Sequence, residues 1–163
     1  MAADKDREDA ADRDAFLRKH ALDHTKKGIS RTFVLRDEDS DDPYRVIAYY
    51  SAGVGHLQPA DLPRVVSPRM TVPVALLQRL AVDRQFQHMG IGTKLLVNFL
   101  ARLVQVARDI GVYALVLEPL NDRVRGFYER FGLCAMPEDS SRLYARVTDI
   151  HEWLTAHGHG KLS

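Results

Sequence analysis

The chain has 163 residues, enough for one domain with a sizeable core, and its apolar and charged fractions are those of an ordinary globular protein. A net charge of +1 excludes a global field that draws in polyanions, and no apolar run approaches the roughly 18 residues of a membrane span. The lone Cys134 excludes an intrachain disulfide framework and is expected as a small core residue, while the start "MAADKDREDAADRD" lacks an apolar signal core, so the chain reads as cytoplasmic.

Residues 1–12 are expected to fray. "DRDAFLRKHALDHTKKG" places Phe16, Leu17, Ala21 and Leu22 on one side of a helix that Gly28 ends. Arg18, Lys19, His20, His24, Lys26, Lys27 and Arg31 crowd this stretch; such a run is either a solvated helix face or a patch that meets phosphates. "SRTFVLRDE" has strand composition, "DSDDP" is a turn, and "YRVIAYYSAGVGHL" is a second strand, so a hairpin is predicted. Gln58 to Pro73 holds four prolines and reads as a loop or broken strand. "VALLQRLAV" is continuous enough in its apolar character to be a central strand.

The next helix is expected from about Gly90 to Arg108, with Ile91, Leu95, Leu96, Phe99, Leu103 and Val106 as its apolar stripe and Gly111 ending the segment. "VYALVLEPL" is another buried strand. Asp122 to about Arg130 forms a short helix closed by Gly132, and "SRLYARVT" is a last strand. "DIHEWLTAHGHGKLS" reads as a polar tail that docks through Trp153 and Leu154. His56, His151, His157 and His159 show no metal-ligand grouping. Strands alternating with helices, after an antiparallel hairpin, give a mixed α/β (α+β) sheet in one domain over 1–163.

One element carries chemistry. After the apolar run comes Gln87-His88-Met89-Gly90-Ile91-Gly92, at the entrance to a helix. A helix N-terminus has unpaired N–H groups and partial positive charge, and glycines there let an anion approach them closely. No Gly-Lys-Ser/Thr ending follows, and Leu95 stands where a dinucleotide fingerprint needs its third glycine. A tight strand–helix turn without a ligand is the alternative.

"AVD", then Gln-x-x-Gly-x-Gly, then after a strand "NDRVRGFYERFGL" resembles the GNAT superfamily of N-acetyltransferases, with Leu133 where Phe is usual. The resemblance covers about residues 30–147. It implies the GNAT fold: a mixed, mostly antiparallel sheet splayed at a β-bulge, with helices on both faces. It implies acetyl-CoA as cosubstrate and no metal. The backbone of Leu80, Ala81 and Val82 would hold the acetyl carbonyl and pantetheine amides, and His88, Met89, Gly90, Ile91, Gly92 and Thr93 would wrap the pyrophosphate, with Gln87 fixing the loop. His88 and Met89 stand where Gly or a basic or amide residue is common. Tyr128 matches the general acid that protonates the leaving thiolate. Its other reading is core packing, but Phe127 and Phe131 are expected to fill that role and leave Tyr128 on another face. Asn121 would bond the cofactor or cap the next helix, with Asp122 competing for the cap. The family's glutamate base position is Val116 here; Glu118, on the same strand face, is a possible base or a plain salt-bridge partner.

"LRKHALDHTKKGISRTFVLRDED", "VIAYYSAGVGHL" and "VPVALLQRLAVDRQFQ" further resemble the acetyltransferase toxins of toxin–antitoxin pairs, although the usual Phe-x-Cys-Gly before the first helix is absent. That likeness implies an aminoacyl-tRNA substrate, a ribbon-helix-helix antitoxin and a homodimer. Arg18, Lys19, Lys26, Lys27, Arg31, Arg64, Arg69 and Arg84 are then the candidate tRNA contacts. The rival readings are a small-molecule or protein N-acetyltransferase on the same fold, and a non-catalytic acetyl-CoA-binding regulator.

Overall fold

Helix caps and strand continuity divide the chain where the residues demand it. A computed structural model describes residues 2–58, 61 and 70–158, with side chains from residue 11 onward. Helices α1 (Ala2–Lys19) and α2 (Ala21–Lys26) lead into strands β1 (Arg31–Arg36), β2 (Val46–Leu57) and β3 (Val72–Val82). A 3₁₀ turn (Arg84–Phe86) precedes α3 (Ile91–Asp109) and β4 (Ala114–Leu117). Helix α4 (Asp122–Glu129), strands β5 (Cys134–Ala135) and β6 (Leu143–Arg146), and helix α5 (Val147–Ala156) complete the order. The strands form one sheet in the order β1-β2-β3-β4-β6-β5. The β1/β2, β4/β6 and β5/β6 ladders are antiparallel and β3/β4 is parallel, so the sheet is mixed and mostly antiparallel, as expected. A register shift in the β1/β2 ladder lies at Leu35/Arg36.

Two compact units partition the chain: Met1–Gly53 with Arg79–Gly92, and Val54–Gln78 with Thr93–Ser163. In the first, α2 ends as its sequence dictates. Gly28 sits at φ +71, its N–H donates to the Thr25 carbonyl at 3.2 Å, and the Ile29 N–H donates to the His24 carbonyl at 2.9 Å. That is a Schellman cap, and it needs a residue that tolerates positive φ. Phe16 and Ala21 pack on Tyr49 of β2, with Leu17 and Ala81 against them. The Arg79 guanidinium lies 4.1 Å from the Phe16 ring centroid and 3.4 Å from Asp12. Tyr50 points to the other side of β2 and stacks on Phe33 at 4.9 Å.

The second unit holds the larger core. All four residues of β4 are buried, as a strand covered on both faces requires. Leu57, Val72, Val74, Ala114, Val116 and Met136 form one buried cluster. Leu96 and Leu100 of α3 are fully buried, each worth about 1.5–3 kcal/mol of transfer free energy.

Several expectations need correction. Helix α1 starts at Ala2, so the segment expected to fray is helical; alanines at 2, 3, 10 and 11 supply propensity that the charge run concealed. The single helix expected over 12–28 is two, parted at His20, and Leu22 is exposed. β3 begins at Val72, inside the expected loop, whose residues 59–60 and 62–69 lie outside the described residues. Val106 is exposed on α3, where Leu100 and Val104 face the core instead. Cys134 is exposed on the short edge strand β5, because two residues of edge strand cannot be covered on both faces. The expected polar tail is α5, an amphipathic helix that buries Ile150 and Leu154 and sets Trp153 5.0 Å from Phe131.

Burial of Tyr49, whose hydroxyl donates to the Arg13 carbonyl at 2.9 Å, pushes its phenol up from 10.0 to about 12. The sign is that of a raised acid: its stabilisation is whole below the unfolded value and fades as pH climbs from about 10 toward about 12, because the unfolded phenol ionises first. Urea unfolding at about pH 8 and about pH 11 should show a larger alkaline loss for wild type than for Tyr49→Phe. Equal losses would remove Tyr49 as the titrating group.

Candidate active site

The site begins where β3 outruns its neighbour. β3 pairs with β4 over Val74–Leu76 only, yet it continues to Val82. Leu80, Ala81 and Val82 are half-buried at its end. Asp83 then turns the chain. Its N–H donates to the Ile47 carbonyl at 2.7 Å, and its Oδ1 accepts from the Gln85 N–H at 2.8 Å. The Gln87 amide Nε2 donates back to the Val82 carbonyl at 3.1 Å, which ties the loop to the end of β3.

Two residues in the loop have left-handed backbone: His88 at φ +63 and Gly90 at φ +78, while Met89 between them does not. Alternating signs of φ aim successive N–H groups toward one side, the arrangement of an anion-binding nest. A Cβ on Gly90 would meet no atom within 4 Å, so this glycine answers a backbone demand rather than crowding by the protein. Helix α3 follows at once with Ile91, Gly92 and Thr93, and its first turn holds no acidic residue. Its positive end is therefore unopposed within the helix. Nest, open approach at Gly90 and acid-free helix start together suit a doubly charged anion such as a pyrophosphate.

Arg45 braces this loop and was not legible in the sequence. Its Nη2 donates to Gln85 Oε1 at 2.6 Å, its guanidinium lies 5.4 Å from the Phe86 ring centroid, and its Nε is 3.7 Å from Asp37. The signal was present only as a basic residue at the start of a strand, forty positions away.

In the second unit, α4 carries the other candidates. Asn121 is its N-cap: Oδ1 accepts from the Val124 N–H at 2.9 Å. Asp122, the expected competitor, is inside the helix. Tyr128 is 6% exposed and is the buried residue of α4, with its ring 5.2 Å from Phe127 in edge contact. Of the two aromatics expected to fill the core, Phe131 is buried and Phe127 only half-buried, and Tyr128, expected on another face, is buried beside them. Successive helical residues point about 100° apart, and the core-facing arc of this short helix falls on Tyr128. Glu118 lies beyond the end of β4 and is exposed, so strand alternation does not place it beside Val116.

Six of the eight candidate tRNA contacts lie in the first unit. Arg18 and Lys19 end α1, Lys26 ends α2, Lys27 caps it, Arg31 starts β1, and Arg84 lies in the 3₁₀ turn; all are exposed. Lys27 is 2.9 Å from Asp23 and holds that carboxyl below its usual range. Cations at helix C-termini also satisfy the helix dipole, which is their purely structural use. Arg64 and Arg69 lie outside the described residues.

Strand, turn, nest-bearing helix entrance and a capped helix follow one another along the chain in the order found in acetyltransferases, and that is the class of the protein. The model of the Acetyltransferase (GNAT) family matches residues 5–133, and the chain belongs to that family. A tRNA-acetylating toxin of Mycobacterium tuberculosis is 38% identical over 138 residues, covering 83% of this chain and 80% of that protein. The crystal structure of a tyrosine-to-phenylalanine mutant of KacT superposes with TM-score 0.74 at 26% identity, over 85% of this chain and 83% of that one. AtaTR bound with acetyl-CoA gives TM-score 0.72 at 25% identity, over 84% and 81%.

Asn121→Ala should remove the α4 cap and cost about 1 kcal/mol of stability, with Asp122→Ala costing less. Chemical unfolding of the two variants checks this, and a reversed order would return the cap to Asp122.

Proposed function

We propose that the chain is the toxin of a toxin–antitoxin pair, an acetyl-CoA-dependent N-acetyltransferase that blocks translation by acetylating the α-amine of aminoacyl-tRNA. The observation that carries this is 38% identity to a tRNA-acetylating toxin across four-fifths of both chains. The reading takes 1–163 as a single acetyltransferase domain, cytoplasmic and homodimeric, with a ribbon-helix-helix antitoxin as its neutralising partner.

The residues have these roles in the reading. Backbone groups of Leu80, Ala81 and Val82 hold the pantetheine arm as an added strand would. N–H groups from His88 to Thr93 hold the pyrophosphate, with Gln87 bracing the loop. Asn121 contributes to the cofactor site besides capping α4. Acetyl-CoA supplies the activated acyl group. The acceptor amine attacks the thioester carbonyl to form the amide C–N bond, the C–S bond breaks, the Tyr128 hydroxyl gives its proton to the leaving sulfur, and the proton shed by the amine restores the phenol through solvent. A free α-amine titrates near 7.7–8.0 and lysine near 10.4. An ester-linked amino acid has no carboxylate beside its amine, which lowers that amine further, so no strong base is required and Glu118 has at most an assisting role. Arg18, Lys19, Lys26, Lys27, Arg31, Arg64, Arg69 and Arg84 position the acceptor arm through phosphates.

Purified protein with labelled acetyl-CoA and total charged tRNA tests the reading. Wild type should place label in the tRNA fraction, released by mild base, and Tyr128→Phe should be slower by about 10²–10⁴ with acetyl-CoA binding retained. No label in tRNA alongside intact acetyl-CoA binding would move the acceptor to a small molecule or a protein amine. Full activity of Tyr128→Phe would sink the acid assignment.

Gly92→Asp should abolish acetyl-CoA binding, since it sets a side chain and a like charge against phosphate; undiminished affinity by calorimetry would refute the loop assignment. Reversing Lys26 and Lys27 together should weaken tRNA binding and flatten its log–log salt slope by about 1 to 2 units. An unchanged slope would return both lysines to a solvated helix end.

A further inference from the structure

His88 stands where a glycine would meet no steric penalty. Among the described residues it is the one non-glycine with positive φ, at +63. Left-handed backbone crowds a Cβ; histidine tolerates it better than most residues and less well than glycine. Outliers of this kind cluster at binding and active sites, so the use of the side chain is to be sought in the ligand. No ion pair holds the ring: His88 is exposed, and among the described residues no carboxylate pairs with it. From Gln87 to Thr93, the stretch read as the pyrophosphate loop, it is also the only side chain able to carry charge. Its neighbour Met89 is neutral, and Gly90 leaves the approach to the nest open.

We propose that the His88 imidazole is itself a cofactor contact, a titrating cation that meets the pyrophosphate seated in the nest. The inference rests on the reading of residues 88–93 as the pyrophosphate loop, and it adds a side chain to what that reading gives to backbone N–H groups. Histidine is the side chain whose charge ordinarily changes between about pH 5 and about pH 8. Beside a dianion the imidazolium is favoured over the neutral ring, so the complex binds more protons than the free protein. Linkage then fixes the sign: acetyl-CoA binding tightens as pH falls through the histidine range, and levels off once the ring is protonated in both states. The other charged groups of the loop and its flanks are Asp83, whose Oδ1 accepts from the Gln85 N–H, Arg84, Arg45, which is held by Gln85 and Asp37, and Lys94 in the first turn of α3. Carboxylates, lysines and arginines ordinarily titrate outside that window, so they do not reproduce the effect. The ligand supplies one rival, since a phosphate monoester titrates near about 6 and acetyl-CoA carries one beside its pyrophosphate. That contribution is common to wild type and variants, and cancels in their ratio.

The test titrates the full chain with acetyl-CoA by calorimetry at about pH 6 and about pH 8, for wild type, His88→Gly and His88→Asn. Glycine frees the backbone and asparagine tolerates the left-handed region, so both variants keep the loop and lose the titrating ring. At the lower pH each should bind about threefold to tenfold more weakly than wild type, and at the higher pH the gap should close. Urea unfolding is the folding control, and the His88→Gly midpoint should stand at or above that of wild type. Weaker binding by a variant that is no less stable is an outcome that a purely structural role for His88 does not give. His88→Gly binding as tightly as wild type at the lower pH overturns the proposal, and so does a loss of equal size at both pH values; either result leaves the backbone nest standing. Failure of wild type to bind acetyl-CoA at either pH would overturn the loop reading, and this inference with it.

Discussion

The backbone reversal at His88–Gly90 is the constraint on which the site depends. Left-handed conformation costs a non-glycine residue roughly 1–2 kcal/mol, and histidine stands at one of the two positions that need it. Such a conformation persists only where its surroundings hold it. Here Asp83 is bonded to Ile47, Gln87 reaches back to Val82, and Arg45 clamps Gln85 and Phe86. Each brace belongs to the unit that carries the loop, so the nest is set by its own supports before any ligand arrives.

The same unit ties the loop to the helices before it. Arg79 precedes the three residues read as the pantetheine strand; its side chain stacks on Phe16 and pairs with Asp12. Phe16 lies against Tyr49, whose hydroxyl ends on the Arg13 carbonyl. A cation–π contact at a half-buried site is worth about 0.5–2 kcal/mol, so α1 helps to hold β3 where the strand has left its β4 ladder. In the other unit α4 is fixed separately: Asn121 caps its start, and Arg125 joins Glu129 to the Ser140 carbonyl. Tyr128 is thereby carried on a short helix pinned at several points along its length.

What could be read from the sequence was whatever local chemistry alone decides. Gly28 as a helix stop, the β1/β2 hairpin, the apolar continuity of β3 and the glycine-marked entrance to α3 all follow from neighbours in the chain. What could not be read depends on distant partners. Residue type assigns Cys134 to the core, yet its strand lies on an edge. Tyr128 and Phe127 compete for one short arc, and only the packing partner decides between them. Arg45 braces a loop forty residues away, which no local pattern reveals. α5 was hidden because "DIHEW" is polar on average, although Ile150, Trp153 and Leu154 recur at helical spacing.

Net charge misleads for a related reason. The total of +1 spreads over the whole chain, but residues 18–31 hold five cations, Arg18, Lys19, Lys26, Lys27 and Arg31, against the single acid Asp23, a local balance of 5 − 1 = +4. The remainder must then carry 1 − 4 = −3. At physiological salt the screening length is about 8 Å, so an approaching polyanion feels the nearby charges and little of the rest. One of these cations is already committed, since Lys27 spends its field on Asp23. Arg18, Lys19, Lys26 and Arg31 have no carboxylate partner among the described residues, so four of the five cations keep their field for an approaching anion. The local field is thus set by a handful of side chains, whatever the overall balance of the protein.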